Sequence, residues 1–196
     1  MVNRMNKLEQ KIGDLYKKLE NINNKIDKYC SENAYMPCPE NFEKVKSDIL
    51  TAIDQYESKL FSLQNNPELS DNNIDLYLKN DNDSYSHYII FLHDTDIYIG
   101  EINYQKNQPF KEKFGNISYR IFPEYRGNHY ALSALNLMSD KLYKDGIEEI
   151  FLATEKTNIP SLKTIERYGG ELISSGELVV SYRCNLSAIK KQTNTR

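Results

Sequence analysis

Residues Tyr125-Arg-Gly-Asn-His-Tyr130 are the part of this chain best suited to hold a charged ligand. A short glycine-bearing loop that runs straight into a helix turns successive backbone N–H groups toward one point. The positive end of the helix adds to the field there. That is phosphate-binding chemistry. Neither the dinucleotide fingerprint G-x-G-x-x-G nor a P-loop ending in G-K-[ST] occurs in the sequence. His87, His93 and His129 show no metal-ligand spacing with the cysteines, so no metal is expected. Cys30, Cys38 and Cys184 are an odd, sparse set. Cys30 and Cys38 could approach across a turn, but reduced thiols are the preferred reading of all three.

The loop has to be held by what flanks it. Upstream, Ile117, Tyr119 and Ile121 alternate onto one face of a strand rich in β-branched and aromatic residues. Pro123 ends that strand, having no N–H to extend a ladder. Downstream, Leu132, Leu135, Met138 and Leu142 recur at helical spacing over about 131–144, and Asp145-Gly146 stops the helix. Earlier short strands are expected at 74–78 and 88–92, across the polar stretch 79–84, and at 97–103, with a polar segment over 104–113. The chain end reads as a hairpin, 171–173 and 178–186 around Ser174-Ser175-Gly176, with 190–196 frayed.

The run Pro123-Glu-Tyr-Arg-Gly-Asn-His-Tyr-Ala131 resembles the acyl-CoA pyrophosphate loop of the GNAT superfamily of N-acetyltransferases. A second segment, Asn158-Ile-Pro-Ser161-Leu-Lys-Thr-Ile165-Glu-Arg-Tyr-Gly169-Gly170, is similar to that family's later helix, and a strand at 148–154 precedes it. The two motifs stand in the family's order, and the resemblance covers roughly residues 75–186. It implies an α/β (α+β) fold: a mixed, splayed β-sheet flanked by helices, with coenzyme A slotted into the splay. Acetyl-CoA is then the acyl-donor co-substrate and an amine the acceptor.

By the same resemblance, Arg126, Gly127, Asn128, His129, Tyr130 and Ala131 anchor the pyrophosphate. Backbone groups near Ile121 and Phe122 meet the pantetheine arm, and Asn158 contacts the same arm. The sequence also departs from the family. His129 stands where a second Gly or Ala is usual, and must take up a conformation that Gly reaches more cheaply. Ile165 stands where many members carry a Tyr that protonates the departing thiolate. Ser161, one turn earlier, offers a hydroxyl instead; the alternative is that it bonds its own helix backbone. Glu101, in a strand beside the expected cleft, is the first candidate for general base, against the reading of a solvated strand residue. Tyr119 and Glu155 are further candidates lining the cleft.

The first third of the chain is of another kind. Met5, Leu8, Ile12, Leu15, Leu19, Ile22, Ile26 and Tyr29 recur at steps of three and four, as do Phe42, Val45, Ile49, Ile53, Tyr56, Leu60 and Leu63. The segment 30–39, with two prolines, separates the two seams. An antiparallel, coiled-coil-like helical hairpin is expected over 1–66, an acyltransferase domain over 67–188 and a tail over 189–196. The hairpin packs on itself, or on a second copy or another partner.

With 196 residues, 39% of them hydrophobic, the chain suits one ordinary domain plus an extension. A net charge of −3 gives no general attraction to nucleic acid or anionic membrane. No apolar run is long enough to span a bilayer, and the charged N-terminus does not read as a signal peptide. A cytoplasmic N-acetyltransferase is the leading reading. A non-catalytic acyl-CoA-binding or sensing module, with the hairpin as its assembly element, is the alternative.

Overall fold

The computed structural model describes residues 2–33 and 37–193, in two compact units, 1–66 and 67–196. The first unit is a helical pair, α1 (Val2–Glu32) and α2 (Glu40–Gln64). The helices run antiparallel. Tyr16 donates its hydroxyl to Glu57 (2.8 Å), the Lys11 ammonium lies 5.2 Å from the Tyr56 ring centre, and the Tyr29 and Phe42 rings meet edge to face. Every α1 seam residue from Met5 to Tyr29 is at least partly buried. On α2 the seam departs from expectation at Val45, which is 44% exposed, while Lys46 turns inward. Steps of four, three and four from Phe42 to Ile53 keep one face of the helix, whereas Val45 stands off it. Part of the break between the seams, residues 34–36, lies outside the described residues.

The second unit opens with a five-stranded sheet in the order β1-β2-β3-β4-β5. Its strands are β1 (Leu69–Ser70), β2 (Ile74–Asp81), β3 (Tyr85–Leu92), β4 (Tyr98–Gln105) and β5 (Ile117–Ile121). Strands β2 and β3 run further into the polar stretch than the sequence suggests. The Asn82 side-chain oxygen accepts from the N–H groups of Ser84 and Tyr85, tightening the turn to a few residues. The segment expected to be loop before β5 contains a short helix, α3 (Lys111–Phe114). Beyond β5 come a 3₁₀ turn (Pro123–Tyr125), α4 (Tyr130–Lys144), β6 (Glu149–Glu155), α5 (Ile159–Tyr168), β7 (Glu171–Ser175), β8 (Val179–Asn185) and α6 (Leu186–Thr193). The last three strands form a second sheet in the order β6-β8-β7. Residues 190–193 continue α6, and Lys190 pairs with Asp140 of α4. Residues 194–196 lie outside the described residues.

Every ladder is antiparallel. The helical crossover α4 links β5 to β6, and between those two strands ladder pairing is absent. They touch at one end only. Asn116 N–H donates to the Phe151 carbonyl, and its side-chain oxygen accepts the Phe151 N–H, both at 2.8 Å. Past that point β5 has no ladder partner on this side, which is the splay that the family resemblance implies. One core serves both sheets: Tyr88, Ile90, Ile102 and Ile117 from the first, Ile150, Leu152 and Tyr182 from the second, and Leu135, Met138 and Ile165 from α4 and α5.

Gly100 sets the closeness of β4 to β5. A Cβ there would lie 2.1 Å from the Arg120 carbonyl oxygen, and backbone cannot yield as a flexible side chain would. Gly100→Ala should therefore destabilise the second unit by about 3 kcal/mol, the upper end of overpacking costs. Thermal or urea unfolding checks this, and an unchanged midpoint would show that the strands part more easily than their pairing implies.

Candidate active site

The phosphate-type loop is built as a sequence of local necessities. Phe122 ends β5, donating its N–H to Ile99 and accepting from Tyr125 across the 3₁₀ turn. Arg126 then folds back, its Nε donating to the Ile121 carbonyl at 2.9 Å. The Asn128 side-chain nitrogen donates to the carbonyls of Tyr125 and Arg126 at 3.3 and 3.4 Å, which ties the loop from inside. Gly127 has φ 86° and His129 φ 62°, the left-handed conformation the sequence asks of this histidine. The result is a run of outward donors. The N–H groups of Gly127, Asn128, His129, Tyr130 and Ala131 have no acceptor among the described residues, while Leu132 and Ser133 already return to the His129 carbonyl. Free N–H groups at the start of a 15-residue helix are an anion site in physical terms.

Arg167, in the last turn of α5, brings a guanidinium nitrogen to 3.4 and 3.3 Å from the two ring nitrogens of His129. It sets a fixed positive charge beside the donor run. Sequence reasoning missed it, because 38 residues separate the pair and only the packing of α5 brings them together.

Asn158 is the N-cap of α5, its Oδ1 accepting the Ser161 N–H at 3.3 Å. Its side-chain nitrogen has no partner among the described residues. The Ser161 hydroxyl makes no bond to its own helix backbone, unlike Thr164, which bonds back to Pro160. Instead the hydroxyls of Ser161 and Thr164 lie toward Tyr119, a β5 residue whose side chain reaches α5. The Tyr119 hydroxyl is itself buried and closes no hydrogen bond of good geometry. Burial raises its pKa, and the two neighbouring hydroxyls only partly offset that. Two of the sequence candidates, Tyr119 and Ser161, are thus brought together. Ile165 is 1% exposed and turned into the core, wedged beside Gly170.

Glu101 stands apart from them. In the β4–β5 register Ile102 faces Tyr119 and Glu101 faces Arg120, so Glu101 and Tyr119 project from opposite faces of the sheet. Glu101 binds the Arg120 guanidinium (3.0 Å) and His87 Nε2 (3.1 Å). The His87 hydrogen bond, helped by the Arg120 charge, holds its carboxyl below the usual range against partial burial. It is a persistent carboxylate, suited to hold a cation more than to take a proton. Glu155 lies exposed at the end of β6, near the Thr157 hydroxyl.

The backbone of Ile121 and Phe122 is partly spent inside the loop, since Arg126 occupies the Ile121 carbonyl and both polar groups of Phe122 are bonded. The cysteines are free thiols, Cys184 being buried. Among the described residues Asp75, His93 and Asp94 bring ligand-type atoms within 4.8 Å of one another. Both Asp75 oxygens are already satisfied there, by Ser70, His93 and the Asp94 N–H.

Residues 42–171 match the acetyltransferase (GNAT) domain family, a stretch that begins within α2. With that match over most of the chain, and with the splayed sheets and donor loop described above, the protein belongs to the GNAT acetyltransferases, a family that uses acetyl-CoA as co-substrate. Among solved structures, an acetyltransferase from Agrobacterium tumefaciens str. C58 is 23% identical with a TM-score of 0.44, covering 52% of this chain and 61% of its own. The ribosomal L7/L12 α-N-protein acetyltransferase RimL in complex with coenzyme A is 16% identical with a TM-score of 0.45, covering 54% and 64%. Spermidine N-acetyltransferase from Vibrio cholerae, in complex with coenzyme A and spermine, is 14% identical with a TM-score of 0.47, covering 55% and 69%. A curated relative, reticulocyte-binding protein homolog 1 of Plasmodium falciparum (isolate 3D7), is 29% identical over 126 residues. That alignment takes in 54% of this chain, which spans only 4% of the relative's length. No helix among the described residues is long and apolar enough to cross a membrane.

Proposed function

We propose that the protein transfers an acetyl group from acetyl-CoA to a primary amine, in the cytoplasm and by direct attack. The observation that carries this is the run of N–H groups from Gly127 to Ala131 without internal acceptors, at the mouth of the gap between β5 and β6. These donors, with the guanidinium of Arg167, suit a pyrophosphate. The Asn158 side-chain nitrogen and the unpaired edge of β5 suit the amide-bearing pantetheine arm. The bound coenzyme supplies an acyl group activated as a thioester.

The protein's own groups then act from the two faces of the β4–β5 pair. Glu101, kept ionised, attracts the acceptor as an ammonium, and His87 beside it is placed to pass the ammonium proton to water. As the acceptor nitrogen bonds to the carbonyl carbon, the carbon–sulfur bond breaks and the electron pair leaves on sulfur. Tyr119 donates a proton to that thiolate from the other face, with Ser161 as its neighbour, and the second proton shed by the nitrogen as it becomes an amide returns to Tyr119 through water. The missing hydroxyl at Ile165 is thus supplied from β5 instead of α5. The hairpin 1–66 is assigned to assembly or partner contact, outside the chemistry.

The test is acetyl-CoA calorimetry paired with release of free thiol against a panel of amines. Binding with amine-dependent thiol release is expected. Binding without release from any amine would favour a non-catalytic acyl-CoA sensor, and absence of binding would remove the proposal altogether.

A further inference from the structure

A cavity of about 430 Å³ opens on the sheet face that carries Glu101, and it falls in the size range of small-molecule sites, roughly 300–1,000 Å³. Its polar lining comes from Ser84, Asn103, Gln105, Asn107, Gln108 and Ser118, while Tyr85 and Pro109 add apolar surface. Not one lining residue is ionisable in the neutral range. The side chains of Asn103 and Ser118 have no partner among the described residues, whereas Gln108 is already bonded to Gln105 (2.8 Å) and the Tyr85 hydroxyl to Asn80 (2.8 Å). Tyr85 is thereby held with its ring as a wall, and Asn103 and Ser118 stand opposite each other in the β4–β5 ladder as open hydrogen-bonding groups.

We propose that this cavity binds the body of the acceptor, and that the acceptor is an amino sugar: an uncharged, polyhydroxylated ring bearing one primary amine. The inference rests on the acetyl-transfer reading above. The argument from chemistry is by charge and by shape. A polyamine, charged at several nitrogens, needs carboxylates along its length, and none lines the cavity. A phosphorylated or carboxylated acceptor needs a cation, and none lines it either. Amide and hydroxyl side chains, which both donate and accept, match the vicinal hydroxyls of a sugar, and an aromatic wall suits the apolar face of its ring.

The amine also has a place to go. Asn103 is two residues from Glu101 on β4, and Ser118 two residues from Arg120 on β5, so each pair shares a face about 7 Å apart at the ordinary strand rise. His87 faces Asn103 directly from β3. An amine extending from the cavity along β4 meets Glu101, to which His87 is bonded from β3 and Arg120 from β5. The hydroxyls stay on neutral partners, and the one charge on the acceptor meets the Glu101 carboxylate, which it shares with Arg120.

Ligand-observed NMR with glucosamine, galactosamine and 4-amino-4-deoxyglucose, each with and without acetyl-CoA, tests binding apart from turnover. At least one should bind, and Asn103→Leu with Ser118→Val should weaken it about tenfold or more. Both positions are strand residues without partners, so the variant should fold, which circular dichroism and an unchanged acetyl-CoA affinity would verify. Spermidine and a short peptide amine serve as competitors and should bind elsewhere or not at all. If no amino sugar binds, or if binding ignores the double substitution, the inference is overturned. Thiol release with spermidine or the peptide but with no sugar would also overturn it while leaving acetyl transfer intact. Sugar binding at this cavity with no thiol release from any amine would instead retain the cavity and sink the acetyl-transfer reading.

Discussion

Acetyl-CoA binding should weaken by about 100-fold or more in Gly127→Pro, from a substitution that touches no other side chain. Gly127 sits at φ 86°, a value closed to proline, whose ring fixes φ near −65°. The change also deletes one of the donors facing the bound anion, and a hydrogen bond to a charged group is worth about 1.5–3 kcal/mol. Distortion of the neighbouring donors adds to that, and each 1.4 kcal/mol is a factor of ten in affinity. Gly127→Ala is the informative companion. A Cβ there meets nothing within 4 Å, so alanine keeps the donor and is opposed only by the positive φ. Its affinity should fall by about fivefold, in line with roughly 1 kcal/mol of backbone strain. Calorimetry of both variants reads the difference. Equal, small losses would mean that the loop does not carry the pyrophosphate.

Tyr119→Phe should cut kcat by about 100-fold while leaving the KM for acetyl-CoA within about twofold, the signature of a group that acts only in the transition state. The phenol closes no hydrogen bond, so its removal leaves no orphaned partner and the fold should be kept. Ser161→Ala should cost less, about fivefold, because its hydroxyl only assists. The pH dependence has a definite sign. A donor must hold its proton, so turnover falls as pH rises through the pKa of Tyr119. Burial places that pKa above the ordinary phenol value of about 10. The wild type should show no Tyr119-dependent alkaline loss below about pH 10. A kcat unchanged in Tyr119→Phe, or a KM that rises in step with its loss, would take the residue out of the chemistry.

What could be read in the residues, and what could not, divides along physical lines. The strand–loop–helix around Gly127 and the Asn158-capped helix are local: proline, glycine and apolar spacing specify them within a dozen residues, and their elements stand within a residue or two of expectation. The positive φ at His129 followed from the family resemblance, which places a small residue there. Short α3 was hidden because four residues, with exposed Phe110 before them and exposed Phe114 at their end, have no periodicity to detect. Helix α6 was hidden because its one-sided contact with α4 is tertiary, with Leu186 1% exposed and Lys190 reaching Asp140. The distribution of candidates over the two sheet faces is legible only in the register. Period-two alternation tells that Glu101 and Ile102 differ in face, but not that Tyr119 lies opposite Ile102. The contact of Arg167 with His129 is of the same kind, fixed by helix packing and by nothing near either residue in the chain.

The missing ladder between β5 and β6 bears on how long the protein lasts as well as on what it binds. A strand edge without a partner invites pairing with a foreign chain. On the proposed function, the occupant of that edge is a small molecule, whose pantetheine amides stand in for a neighbouring strand. Folding and coenzyme supply are then thermodynamically linked: at a free concentration of about one hundred times Kd, the coenzyme adds roughly 2.7 kcal/mol to the native state. When the acyl-CoA pool falls, that increment goes with it, and the unfolded fraction open to proteolysis rises about a hundredfold. The abundance of the protein would follow the metabolic state of the cell without any dedicated regulator, through the open seam in its own sheet.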